Sequence, residues 1–351
     1  YPAPPPMTTD VRVTEAVVEL VQEAGAARVL VAEGGAPVPK ATDHFTVMDA
    51  FVKTGTKAMC DRLGAQVVCL DDDAWQIRKV PNGVIYREVR LYDSIVNVDK
   101  LISVPVMKTH YDCDVSLGIK CWHGVIADAD KFWKYHRDDI NQKLVDLVRV
   151  INPTLTIIDG ITAMEGLGPL GGEPVTMNII TASADPLAVD SVTSRIMGFD
   201  PYHIDHLRIA YQQGVGCMYS DEIEVLGDPI NSVLRVFKRP EAHITGVYPN
   251  VTVIEGAVCR AERVRTRWAL DQLHKLGELQ KHKWLVIVGS DPFIPPDPEL
   301  IDGKIVIVGS RACFYARSYR RLPKAKCIFV EGDPPIPVPD WVPSYANLSI
   351  H

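Results

Sequence analysis

An apolar run from Leu101 to Met107 breaks off at Lys108, Thr109 and His110, and Lys120 and His123 follow within about one helix length. Lysine is seldom drawn to the end of a buried strand without an anion to meet it. Acids follow other apolar runs: Asp159 after TLTII, Glu165 in ITAMEGLGPLGGEP, then Asp185 and Asp190 at the start of a helical stretch. Lys108, His110 and Lys120, opposed by Asp159, Glu165 and Asp190, would make a pocket of mixed sign in which each charge holds another's ionised form. His136, in the later pair Tyr135-His136, is a further candidate. Two chemistries suit such a set. Lysine anchors a small anion while His or Glu moves a proton, or His110, Asp159 and Glu165 hold a divalent metal. Each residue also has a plainer role: Asp185-Pro186 is an ordinary helix start, Asp159 can bind turn amides, and a lone histidine is usually structural.

These residues gather only if the elements carrying them share an edge. Residues 11–24 carry helical spacing, Gly25 stops them, and RVLVAE follows as a buried strand ending at Glu33-Gly34-Gly35. The spacing then predicts a helix at 47–63, the strand QVVCLD, the strands SIVNV and LISVPVM, a helix at 138–150 and the strand TLTIID. MNIITAS, a helix at 186–197 and a late strand EIEVLG complete the series. Alternation of this kind indicates an α/β fold: a mainly parallel sheet covered by helices, with ligands beyond the carboxyl ends of its strands. The stretch 160–174 holds five glycines (160, 166, 168, 171 and 172) and reads as a ligand-contacting loop with Gly171 and Gly172 close to the ligand. It has neither the GK[ST] of a phosphate loop nor a GxGxxG turn, so no nucleotide is expected.

A mixture of charge, Pro and Gly at 236–250 divides the chain into a main α/β domain, 1–235, and a smaller α/β domain, 236–351. The second contains NVTVIEG, a helix at 261–280, the similar strands WLVIVGS and KIVIVGS, a short helix at 311–319 and CIFVEG. A Pro-rich tail follows, suited to strapping onto another subunit in a homo-oligomer. With 351 residues, 47% of them hydrophobic, the chain can bury sizeable cores. A net charge of −7 and pI near 5.8 argue against nucleic acid, and the basic runs 260–267 and 317–326 read as solvated helix faces. No apolar run approaches the roughly 18 residues of a membrane span. Eight cysteines without a CxxC suggest reduced thiols, Cys69 among them as a core residue, and a cytoplasmic setting. Tyr at position 1 and the opening YPAPPP leave a removed leader open.

The segments VPVMKTH, SLGIK, Tyr135-His136, NPTLTIIDGITAMEGLGP, GGEP and ASADPLAVDSVTSRIMGFDP, in this order and spacing, resemble the family called domain of unknown function 362. The resemblance implies an α/β domain with a polar pocket and an association with iron–sulfur chemistry. By position Lys108, His110, Lys120, His136, Asp159, Glu165, Asp185 and Asp190 match the family's polar signature. There are departures. No CxxCxxCxxxCP run occurs, so a ferredoxin module is absent. Where relatives carry Cys-x-x-Cys and Gly-Cys-Pro-Pro, this chain has Cys259-Arg260-Ala261-Glu262 and Gly332-Asp333-Pro334-Pro335. The resemblance therefore implies at most a degenerate metal site of Cys259, Cys313 and Cys327 with Asp333 or Glu262. Three functions follow as expectations: an enzyme on a small anionic carboxylate or phosphate, metal-assisted or not; an iron–sulfur redox protein; and a noncatalytic binding module.

Overall fold

A computed structural model describes residues 6–34, 46–127, 139–169, 171–290, 292–293, 303–318, 320 and 322–330. The chain forms two compact units, Tyr1–Arg239 and Pro240–His351. Both are built of helices and sheets, and the fold is α/β.

The first unit opens with α1 (Val11–Glu23), whose N-cap Asp10 accepts the Arg12 amide and whose Val13 and Val18 turn inward. Strands β1 (Leu30–Glu33) and β2 (Gln66–Cys69) pair in parallel, separated by α2 (Val47–Lys53) and α3 (Thr56–Leu63). The single helix expected at 47–63 is two helices. Gly55, at φ 83°, takes the left-handed turn between them. Val18, Met59, Cys60 and Ala65 form a small core of this lobe. An antiparallel hairpin, β3 (Trp75–Lys79) and β4 (Glu88–Tyr92), was not foreseen, and SIVNV supplies the short helix α4 (Asp93–Val96) where a strand was expected. Its first turn is fixed by Asp73, which accepts the Ser94 amide at 2.8 Å.

The central sheet contains β5 (Ile102–Ser103), β6 (Val106–His110) and β7 (Asp114–Ser116), then β8 (Leu155–Glu165) and β9 (Glu173–Ser183). Between β7 and β8 lie α5 (Gly118–Cys121) and α6 (Ile140–Ile151), and after β9 come α7 (Pro186–Ile196), α8 (Asp205–Gln212) and α9 (Ile230–Val233). Strand β8 pairs in parallel with β5 and then β6 along one side, and antiparallel with β9 along the other. LISVPVM is two strands because Pro105 lacks an amide proton. Its carbonyl takes the Asp159 amide at 2.8 Å, and the ladder resumes at Val106. The sheet is mixed, with β7 and β9 antiparallel to their neighbours. Met107, Leu117, Ile119, Leu144, Ile158 and Leu187 lie at the centre of the large core. EIEVLG forms no strand. Glu222 instead accepts the Tyr211 hydroxyl at 2.8 Å and the Tyr219 amide at 3.1 Å, which folds that stretch onto α8.

The second unit is a four-stranded parallel sheet in the order of the chain: β10 (Val251–Glu255), β11 (Trp284–Val288), β12 (Lys304–Val308) and β13 (Cys327–Val330). α10 (Arg260–Lys275) and α11 (Ser310–Ser318) are its connecting helices. WLVIVGS and KIVIVGS are neighbouring strands, and Gly289 and Gly309 take positive φ at their exits. Among the described residues, no helix is long and apolar enough to cross a membrane.

Candidate active site

Four of the expected site residues spend their polar atoms on the chain's own backbone. Asp190, fully buried, accepts the Gly118 amide at 2.7 Å and the Ile119 amide at 2.9 Å, and so caps the first turn of α5. Burial pushes its carboxyl up to about 7, and the two amides pull it back. Asp159, also fully buried, accepts the Asp10 amide at 2.8 Å and the Ile161 amide at 2.9 Å. Burial raises its pKa as well. Glu165 accepts the Lys238 amide at 3.0 Å, with the Lys238 ammonium 3.6 Å from its other oxygen. His110 Nδ1 accepts the amides of Asp112, at 3.0 Å, and Cys113, at 3.4 Å, in the turn from β6 to β7. Asp185 caps α7 and also takes the Cys217 amide at 2.7 Å. His136 lies outside the described residues.

Lys108 is different. It is half-buried on β6, and among the described residues its ammonium reaches only the Met7 carbonyl, at a long 3.4 Å. Burial lowers its pKa. Cys121 and Glu33 pull it upward, while Lys120 lowers it further. Lys120 follows the turn of α5 that Asp190 caps and has no hydrogen-bond partner among the described residues. The neighbouring Cys121 is open to a cavity of about 710 Å³, which is also lined by Glu33 and Ser103. Desolvation by the cavity walls pushes the Cys121 thiol up to about 11. Glu33 adds to this, and Lys108, Ser103 and Lys120 oppose it. The thiol is therefore protonated at neutral pH.

The structure thus brings Lys108, Lys120, Cys121 and Glu33 into one electrostatic neighbourhood, and of these four Glu33 and Cys121 line the cavity. His110 and Glu165 finish their strands at the carboxyl edge of the sheet. Lys108 pairs across from Met164, and Asp159 sits back from the edge opposite Val106. Sequence reading passed over Cys121 and Ser103, because only the path of α5 places the thiol beside Lys108. It also passed over His206. That ring is fully buried, both nitrogens lack partners among the described residues, and burial followed by Lys120 pushes its pKa down to about 3.

The expected loop at 160–174 is mostly a hairpin. β8 runs on to Glu165 and β9 begins at Glu173. Its glycines are explained by the protein's own backbone. A Cβ on Gly168 would lie 1.9 Å from the Thr109 carbonyl oxygen, and one on Gly172 would lie 2.3 Å from that of Glu165. Gly171 is looser, with Leu167 Cδ2 at 3.2 Å. The close approach inferred for Gly172 is therefore to the chain itself, at the Glu165 carbonyl.

In the second unit Cys259 is exposed and N-caps α10, where Glu262 accepts its amide at 2.8 Å. Cys313 is buried, and its thiol donates to the Ile307 carbonyl at 3.4 Å and the Val330 carbonyl at 3.6 Å. The Cys327 thiol donates to the Pro323 carbonyl at 3.4 Å. Cys327 pairs with Ile305 and so opens its strand at the amino edge, whereas Cys259 and Cys313 follow the carboxyl ends of theirs. Among the described residues no three His, Cys, Asp or Glu come together as a metal site, and Asp333 lies outside them.

The family model described as Domain of unknown function (DUF362) matches residues 1–195. The thylakoid-associated protein sll1697 of Synechocystis sp. is 30% identical over 162 residues, covering 44% of this chain and 50% of that protein. The chain spans about half the length of this curated relative. Lys108, Lys120, Cys121, Asp159 and Asp190 all fall within the family match, and the second unit lies beyond it.

Proposed function

The chain belongs to the DUF362 family, a domain of unknown function, and from the cleft of its first unit we propose an enzyme acting on a small carboxylate- or phosphate-bearing anion. The observation that carries this reading is Lys108. Its amine is held on half-buried Lys108 with one long hydrogen bond among the described residues. An ammonium in that setting gains from an incoming anion, which restores the charge that desolvation disfavours. Lys120 adds a second positive charge close enough to act on Lys108. The lowered basicity of Lys108 also makes it the group that most readily exchanges a proton with a bound substrate. Cys121, as a protonated thiol, presents a neutral polar contact. Asp159, Asp190 and Glu165 act as positioning residues that hold backbone. Their engagement with amides favours an anion anchored by lysine over a metal held by carboxylates.

The test is a thermal-shift titration of wild type and Lys108→Met with acetate, malonate, inorganic phosphate and methyl phosphate. At least one should stabilise wild type in proportion to its concentration and leave Lys108→Met unmoved. No shift with any of the four, or equal shifts in both proteins, refutes the anchor.

A further inference from the structure

The cavity of about 710 Å³ in the first unit is bounded by two continuous stretches of chain: 25–34, which contains β1, and 97–104, which contains β5. Each strand is paired on one side only, β1 with β2 and β5 with β8. Successive residues of a parallel strand send their amides and carbonyls to opposite sides. Val29 gives its carbonyl to the Gln66 amide at 3.0 Å, so Val31 and Glu33 carry the ladder to β2, and Leu30 and Ala32 point away from it. Leu101 and Pro105 give their carbonyls to the Thr154 and Asp159 amides, so Ile102 and Val104 point away from β8. Thr9 shows where that leads: it lines the cavity, and its hydroxyl donates to the Val104 carbonyl at 2.7 Å. Two open strand edges therefore bound one cavity. Apolar side chains line it from both cores of the first unit, Val18 from the small core and Leu70, Ile95, Trp122 and Val125 from the large one. The polar lining residues Arg28, Asn97, Asp99 and Lys100 lie in the segments that lead into the strands, and Glu33 ends β1.

We infer that this cavity is a slot for a strand: an extended peptide of another protein chain, with β-branched apolar side chains, pairs with β1 on one side and β5 on the other and joins the two sheets. A strand residue fills about 160 Å³, from roughly 3.3 Å of rise, 4.8 Å between strands and 10 Å between packed layers. The cavity thus takes about four to five residues, against four in β1. A small molecule in the same space would leave the outward amides and carbonyls of both strands unpaired. A peptide backbone pairs them and turns its side chains to the apolar lining. The stretch 35–45 that leaves β1 carries Pro37 and Pro39, and the tail after Asp333 carries five prolines. Proline has no amide to give, so a second chain is the better source. Lys108 and Lys120 do not line the slot, and the inference stands apart from the anion reading.

Amide hydrogen exchange of the full chain, read residue by residue, tests this with the end-blocked peptide Ser-Thr-Val-Ile-Val-Thr-Ser as probe. In the free protein the Leu30, Ala32 and Ile102 amides should exchange fast and the Val31 amide, held by β2, slowly. The probe should slow all three in proportion to its concentration. N-methylating its two valines removes donors and should weaken binding about fivefold for each hydrogen bond lost. Ala32→Pro, which removes one outward amide and spares the ladder to β2, should weaken binding by a similar factor while Val31 stays protected. Should that variant fail to fold, the N-methyl probe makes the same test on wild type. Protection of Leu30, Ala32 and Ile102 without probe would mean that the protein's own chain fills the slot, and overturns the inference. Equal binding of the parent and N-methyl probes also overturns it, since the cavity would then hold side chains without pairing backbone. So does protection on one edge only, or on neither, because no strand would then lie between them.

Discussion

Replacing Asp190, which does not itself line the cavity, with alanine should loosen α5. The carboxylate is fully buried and holds the Gly118 and Ile119 amides at 2.7 and 2.9 Å. A buried donor stripped of its partner costs about 1–3 kcal/mol, so losing both amounts to roughly 2–6 kcal/mol. The loss should depend on pH, and its sign follows from the raised pKa. Burial pushes the Asp190 carboxyl up to about 7 in the folded protein, against an ordinary value of 3.8. The folded state therefore holds the proton more tightly than the unfolded one, and wild-type stability falls as pH rises from about 4 to about 7, by at most ~1.4 kcal/mol per unit. Alanine has no such penalty, so the deficit of Asp190→Ala should be larger at pH 5 than at pH 8. Groups that titrate alike in both proteins cancel from that difference. Asp190→Asn, which keeps one acceptor oxygen, should fall between the two. Urea denaturation at both pH values gives the energies, and amide hydrogen exchange at Gly118 and Ile119 reports the turn directly. Equal exchange rates in mutant and wild type, or a deficit that does not shrink with rising pH, would refute the capping argument.

Three further outcomes are expected. Lys108→Met should raise the melting temperature at neutral pH, since an amine whose folded pKa is lowered costs stability below that pKa and is relieved as pH rises toward 10.5. The rise should be ~2–4 °C per kcal/mol in a unit of this size, and calorimetry showing a lower melting temperature would contradict it. Gly172→Ala should destabilise by about 1–3 kcal/mol through its 2.3 Å clash with the Glu165 carbonyl oxygen, while Gly171→Ala, facing a flexible leucine tip at 3.2 Å, should cost under about 0.5 kcal/mol. Matched denaturation curves decide this, and equal losses would count against it. In the native protein a thiol-specific reagent should label exposed Cys259 and spare Cys313, whose buried thiol donates to two carbonyls; equal labelling rates would show that the second unit opens there.

The sequence was most legible where one physical signal acted alone. The buried runs WLVIV and KIVIV read as buried strands and are the two inner strands of the parallel sheet, and Asp185-Pro186, favoured as a helix start, caps α7. It was least legible where a local signal competed with a distant partner. Five glycines in fifteen residues looked like an unpaired loop, because nothing local shows that β9 returns along β8 and that Gly168 and Gly172 make room for backbone. The charged residues after the strands stood out in the sequence as unusual. Whether a given carboxylate faces substrate or an amide depends on long-range geometry, however: Asp190 meets Gly118 72 residues away, and Asp159 meets Asp10 across 149. Cys121 was hidden for the same reason, since a thiol one residue past SLGIK shows its surroundings only when α5 is placed beside β1.

That last separation also affects how the chain comes off the ribosome. The segment Met7–Asp10 lies across the sheet, with Thr9 on the Val104 carbonyl, Asp10 on Asp159 and the Lys108 ammonium on Met7. It is synthesised before the strands that hold it, since its anchors on β6 and β8 emerge about 100 to 150 residues later. At about 5–20 residues per second, the segment waits roughly 7 to 30 s for Asp159. During that interval α1 can settle only with its own small lobe, whose β1–β2 pairing is complete by Cys69. The N-terminal lobe is thus a nascent unit in its own right, held to the sheet in a late step, when Asp159 arrives to accept the Asp10 amide.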